Sequence, residues 1–244
     1  MIATSRDTLS IPWEKSETEA NAHAVHPVAG LLAGVAKLIS GAQVRWVEVK
    51  PETRQRIYFA NHTSHLDFVA LWAALPREIR ALVRPVAARD YWTRSWLRRY
   101  LAAKVFNAVL VERELCAHVD DHAARSGEAI AAARAARNAM LGALQGPYSL
   151  ILFPEGTRGD GTQIGKFRCG LYHLCRRRPE VELVPVYMEN LNRILPKGEI
   201  LPVPVMSSIT FGPPLHIEED EPKEEFLRRV RAGLCRLGGR LEGL

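Results

Sequence analysis

Two segments carry the residue types that could move a proton and hold an anion. The first is Asn61-His62-Thr63-Ser64-His65-Leu66-Asp67, directly after the apolar run 57–60. Ligands of α/β proteins bind at such strand ends. On a continuous helix His62 and Asp67 would stand about 140° apart, so they can meet only if His62 precedes the helix and Asp67 lies in its first turns, with Ser64 as the N-cap. Paired in that way, the carboxylate keeps a proton on one imidazole nitrogen and leaves the other as a general base, the orienting half of a catalytic triad without its nucleophile. A purely structural His–Asp hydrogen bond at a capped helix start is the alternative. The second segment, Phe153-Pro154-Glu155-Gly156-Thr157-Arg158-Gly159, leaves the apolar run 149–153. Gly156 and Gly159 allow backbone to approach a ligand, and the Arg158 fork suits phosphate. That reads as an anion site, against the alternative of a glycine turn with a solvated arginine. Lys166 and Arg168 follow it, and the run 109–111 ends in Glu112 and Arg113.

Other chemistry-bearing residues point elsewhere. His65 lacks a carboxylate five residues on and is assigned to packing or hydrogen bonding. His118 and His122 share a helix face at i and i+4, a spacing that can bind metal, but no third ligand is evident and no metal is expected. The cysteines, Cys116, Cys169, Cys175 and Cys235, form no Cys-x-x-Cys, which indicates neither a disulfide framework nor a zinc ribbon and fits a reducing cytoplasm.

The elements that must position these residues alternate. Strands are expected at 57–60, 81–87, 105–111, 149–153, 181–187 and 208–211, with helices at Pro27–Ser40, 65–75, 91–103, about 117–144 and 167–177. A last helix should start near Pro222, capped by Asp220, with Phe226, Val230 and Leu234 on one face. This order predicts an α/β fold with a mainly parallel sheet flanked by helices. The 244 residues suit one such domain, expected over 51–244, with an extension over 1–50 that carries the short apolar helix. Hydrophobic residues at 47% and charged residues at 25% exclude disordered and collagen-like classes. The 33 Lys+Arg against 27 Asp+Glu leave a net charge of +6, which favours anionic partners. Residues 1–21 are polar and include Glu14, Glu17 and Glu19, unlike a secretory signal. The apolar run 28–39 contains Lys37 and falls short of the roughly 18 to 20 residues that cross a bilayer, so no membrane span is expected.

Together the blocks resemble the glycerophospholipid acyltransferases, and within them the 1-acyl-glycerol-3-phosphate (lysophosphatidic acid) acyltransferases. His62-x4-Asp67 is similar to that family's first block, Val111-Glu112-Arg113 to its second, Phe153 to Gly159 to its third and Val184-Pro185-Val186 to its fourth, in family order. Two departures are visible. The second block lacks the family's usual preceding glycine and its aromatic or Ile–Asp pair, and the amino-terminal membrane-spanning helices of many relatives are absent. The resemblance implies a glycerol-3-phosphate acyltransferase-like fold, with His62 as the base and Asp67 orienting it. It implies that Arg113, Glu155, Gly156, Thr157 and Arg158 bind the acceptor's glycerol phosphate, and that the Pro185 block helps place the acyl chain or acceptor.

The activity so implied moves a fatty acyl group from an acyl thioester to the free hydroxyl of 1-acyl-glycerol-3-phosphate, giving phosphatidic acid. Another lysophospholipid or lyso-aminolipid acceptor, or a non-catalytic lipid-binding protein, is the alternative. The donor is acyl-CoA or acyl carrier protein, and no cofactor is expected. Without a Gly-x-Ser-x-Gly elbow or a cysteine in the two main blocks, no covalent acyl-enzyme is expected, and Cys169 is read as a buried thiol. Lipid substrates imply docking on an anionic membrane surface. On one helix Trp92, Trp96 and Tyr100 would share a face flanked by arginines, an arrangement suited to a bilayer interface. The Pro27–Ser40 helix is the other docking candidate. The expected location is the cytoplasm, peripherally at the inner face of the cell membrane. No nucleic-acid reading motif is present, so no nucleic-acid partner is expected.

Overall fold

The computed structural model describes residues 27–64, 67–112, 127–191 and 207–239. In chain order the elements are α1 (Pro27–Ser40), β1 (Gln43–Trp46), β2 (Arg56–Ala60), α2 (Asp67–Ala74), α3 (Arg77–Ala81), β3 (Val83–Ala88), α4 (Arg89–Trp92), α5 (Trp96–Tyr100), β4 (Val109–Val111), α6 (Gly127–Ala143), β5 (Ser149–Leu152), α7 (Gly170–Arg177), β6 (Glu182–Glu189), β7 (Ser208–Phe211) and α8 (Lys223–Leu237). Seven strands form one sheet in the order β1-β7-β6-β2-β5-β3-β4. Neighbours run parallel except β6 and β7. The fold is therefore α/β with a mainly parallel sheet flanked by helices. β1 pairs with β7 and so joins residues 43–46 to the sheet.

Period-two alternation divides the central strands between two cores. Tyr58, Ala60, Ile151, Val184 and Val186 face α2, whose Ala70, Leu71 and Trp72 complete that layer. Ile57, Phe59, Leu150, Leu152 and Leu183 face the other way, against Leu171, Leu174, Phe226, Val230 and Leu234 of α7 and α8. Burial on both faces explains why these strands read as nearly continuous apolar runs.

The amino ends of β2 and β6 are pinned by charge. Arg56, 3% exposed, donates from Nε to Glu182 Oε2 at 2.8 Å, and Arg54 reaches the other oxygen at 2.7 Å. Burial pushes the Glu182 carboxyl up, but the Arg56 guanidinium, helped by Arg54, outweighs it and holds the group below its ordinary range. Its contribution to stability is thus present above the ordinary glutamate range and lost as pH falls through the depressed value. Glu182→Ala should destabilise the protein by about 3 kcal/mol in urea unfolding, because it strands a buried guanidinium.

Two expectations are corrected. The single helix over 91–103 is broken: α4 ends at Trp92, and Ser95 caps α5 by accepting from the Arg98 N–H at 3.3 Å. Trp92 therefore turns inward, packing edge-on against Phe68 and Phe106 at 5.3 and 5.8 Å, and does not share a face with Trp96 and Tyr100. Asp220 is not the cap of α8; Pro222 holds that position without a side-chain bond, and Asp220 has a left-handed φ of 55°. The carboxyl half of the expected helix 117–144 is α6, and the rest lies outside the described residues.

Candidate active site

β2 and β5 are adjacent and parallel, so the loops that leave their carboxyl ends emerge side by side. The β2 exit is fastened first. Asn61 donates from its amide to Met188 O and accepts from Met188 N, both at 2.8 Å, a two-point clamp onto β6. His62 follows, and Asp67 opens α2. The imidazole Nδ1 lies 2.9 Å from Asp67 Oδ2. The same oxygen accepts the Thr63 and Ser64 N–H groups at 2.6 and 2.8 Å. Asp67 is buried, and its charge also sits at the positive end of α2. A carboxylate only accepts, so the proton of the His–Asp contact resides on Nδ1 and Nε2 keeps its lone pair. The Phe153 ring stacks on the imidazole at 4.3 Å and fixes its plane.

The second loop is tied to the first through backbone. His62 N donates to Glu155 Oε1 at 2.9 Å, and Gly159 N donates to His62 O at 2.8 Å. Glu155 Oε2 accepts from Gly165 N at 2.7 Å. The buried Glu155 carboxylate, expected to bind the acceptor, is thus occupied by two backbone N–H groups and does not face the cavity described below. It shapes the pocket from behind. Gly156 is left-handed at φ 72°, and a Cβ there would come within 2.9 Å of Arg168 Nε. Arg168 in turn donates from its backbone to Pro154 O at 2.8 Å, so the turn and this arginine are packed together.

His62 opens onto a cavity of about 670 Å³. Gly156 and Arg158 line it, and Thr157 is exposed beside them. Arg113 lies outside the described residues, as do His65, His118 and His122. Four arginines that the sequence did not assign to the site, Arg94, Arg134, Arg137 and Arg168, also line the cavity. Apolar wall comes from Val86, Val111, Ile130, Met140, Leu171 and Leu174. Nothing local in the sequence marks Arg134 and Arg137, and only the packing of α6 makes them cavity wall. Cys169 corrects another expectation: it is half-buried in the cavity wall, whereas Cys175 is the enclosed thiol, pushed up to about 12 by burial. Among the described residues no group of three His, Cys, Asp or Glu side chains could hold a metal.

This arrangement can take a proton at Nε2 next to a site for an anion and an apolar chain. The chain's fold is similar to that of the 1-acyl-sn-glycerophosphate (LPA) acyltransferase PlsC from Thermotoga maritima, a crystal structure matched with a TM-score of 0.61 at 19% identity over 95% of this chain and 86% of that one. No curated protein matches the sequence. The family model described as Acyltransferase matches residues 42–189. That span runs from the start of β1 to the end of β6, enclosing the His62–Asp67 pair and the Glu155 loop, and by it the chain belongs to the acyltransferase family.

Proposed function

We propose that the protein transfers a fatty acyl group from an acyl thioester to the free hydroxyl of 1-acyl-glycerol-3-phosphate, forming phosphatidic acid. The observation that carries this reading is the His62–Asp67 contact at the mouth of a cavity that Arg158 and Arg168 line. A hydroxyl is a poor nucleophile and a thioester carbonyl a good electrophile, so a positioned base supplies the missing activation, worth about 10² to 10⁴ in rate. His62 Nε2 removes the hydroxyl proton as the oxygen attacks the thioester carbon. The tetrahedral intermediate collapses, the C–S bond breaks, and the imidazolium returns the proton to the departing thiolate.

The Thr63 and Ser64 amides are engaged by Asp67 and are not available to the oxyanion. Other backbone N–H groups near His62 are left to meet it. Arg158 and Arg168 suit a phosphate monoester, whose second charge a diester lacks. Incubation of the purified protein with labelled lysophosphatidic acid and an acyl thioester should yield labelled phosphatidic acid. Exclusive labelling of lysophosphatidylcholine or a lyso-aminolipid would transfer the activity to those acceptors.

No described helix is long and apolar enough to cross a membrane. Access to lipid is assigned to an anionic bilayer surface met by α5, where Trp96 is 72% exposed, Leu97 50% and Tyr100 38%. Residues 91–111 carry Arg94, Arg98, Arg99 and Lys104 and no carboxylate, which matches anionic headgroups. The exposed Leu31 and Leu38 of α1 form the second candidate face. Because Trp92 is core, the informative variant is Trp96→Ala with Leu97→Ala. It should lower the fraction of protein floating with phosphatidylglycerol vesicles several-fold while leaving the melting temperature unchanged. Equal flotation would remove α5 from the docking surface.

A further inference from the structure

The cavity has more positive charge than one acceptor phosphate can meet. Among the described residues its wall carries five arginines, Arg94, Arg134, Arg137, Arg158 and Arg168, against a single carboxylate, Asp90. Arg158 and Arg168 belong to the loops beside His62. Arg134 and Arg137 belong to α6, three residues apart and so on one helix face, with Ile130, Ala133 and Met140 alongside. Neither α6 arginine has an ion pair or hydrogen bond among the described residues, and the Arg137 Nε is buried without a partner. A buried guanidinium N–H left unpaired costs free energy that a bound anion would recover.

Topology separates the two groups. The chain leaves β4 at its carboxyl end and enters β5 at its amino end, so α6 runs back across the sheet from the carboxyl ends of the strands, packed chiefly on β4 and α7, with Arg134 and Arg137 at its middle. β4 stands three strand spacings from β2, about 14 Å. That is too far for the phosphate of an acceptor whose hydroxyl is at His62, since the two groups are joined by one glycerol carbon skeleton. It suits the other substrate, whose thioester and phosphate are the two ends of a long pantetheine arm.

We propose that Arg134 and Arg137 bind the phosphate at the end of the acyl donor's pantetheine arm. This rests on the reaction assigned above. Both sources of the arm share that phosphate: coenzyme A as a diphosphate, acyl carrier protein as a phosphodiester. The apolar residues between the arginines and His62 then cover the arm, and the acyl thioester reaches the base from the β4 side.

The test is R134Q/R137Q, with R134K/R137K as the charge-retaining control. For R134Q/R137Q the donor KM should rise about tenfold or more, with kcat at saturating donor and the lysophosphatidic acid KM unchanged. With an acyl-pantetheine thioester, which lacks the phosphate, wild type and variant should turn over alike. The lysine pair should recover part of the loss. A rise confined to acyl-CoA assigns the pair to the diphosphate, and one confined to acyl carrier protein to the phosphodiester. An equal deficit with acyl-pantetheine, or a rise in the acceptor KM alone, overturns the proposal. Calorimetric titration of coenzyme A and of holo acyl carrier protein without any acceptor reads the pair independently of the lysolipid. Loss of affinity in either titration upholds it even if lysophosphatidic acid proves the wrong acceptor, and equal behaviour of wild type and variant in both overturns it.

Discussion

His62→Ala is expected to lose acyl transfer by about 10³-fold or more in kcat while melting within a degree or two of the wild type. In the proposed reaction the imidazole is the base, so its removal takes the whole activation of the acceptor hydroxyl. It takes little of the fold. Asp67 Oδ2 keeps the Thr63 and Ser64 N–H groups, and the backbone of residue 62 keeps its bonds to Glu155 and Gly159. Asp67→Ala should lose activity and stability together, because it also strands those two amides beside a helix start. The pair of variants separates the base from its support. Initial rates with radiolabelled lysophosphatidic acid and a thermal melt of each are the measurements. A folded His62→Ala protein with turnover near that of the wild type would remove the mechanism.

Glu155→Ala is expected to have the next largest effect, lowering kcat/KM about 100-fold and stability by about 1 to 3 kcal/mol. Its two oxygens join the amide that carries His62 to the amide of Gly165. The half-buried His62 N–H loses its partner, at about 1 to 3 kcal/mol, whereas Gly165 is exposed and its N–H turns to water. The activity falls because the imidazole and the Arg158 loop lose their common anchor, and a displacement of about 1 Å at a reacting group can cost about 10² in rate. Glu155→Gln is nearly as damaging, since its NH2 would meet an N–H donor. Because the carboxylate does not face the cavity, no added carboxylate or amine in solution should restore the rate. Urea unfolding followed by kinetics at saturating substrates separates the two losses.

The two results rest on residues that differ in how far local pattern reveals them. His62 and Asp67 lie five positions apart, and the turn between them has few ways to close, so spacing and residue type were enough to predict a pairing that the geometry contains. The same holds for the buried face of α8, where Phe226, Val230 and Leu234 recur every four residues, and for α1, whose bounds follow from Pro27 and Gly41. Trp92 shows the opposite. Periodicity placed it with Trp96 and Tyr100, but one hydroxyl cap at Ser95 starts a new helix after it and leaves Trp92 packed on Phe68 and Phe106.

By the resemblance Glu155 reads as one of the residues that bind the acceptor. Its burial depends on β5 being inserted next to β2, a pairing 93 residues apart in the chain. Arg134, Arg137 and Arg168 read as ordinary cations on helices and loops, and become cavity wall only when α6 and α7 pack over the carboxyl ends of β4 and β5. Legible in the chain alone were the strand-and-helix alternation, the pairing of His62 with Asp67, and the glycine loop after β5, because each depends on neighbours close in sequence. Packing between distant segments settled which strands lie side by side, that Glu155 holds the His62 amide from behind, and which arginines line the cavity, because sheet order is set by burial summed over the whole chain and leaves no local trace.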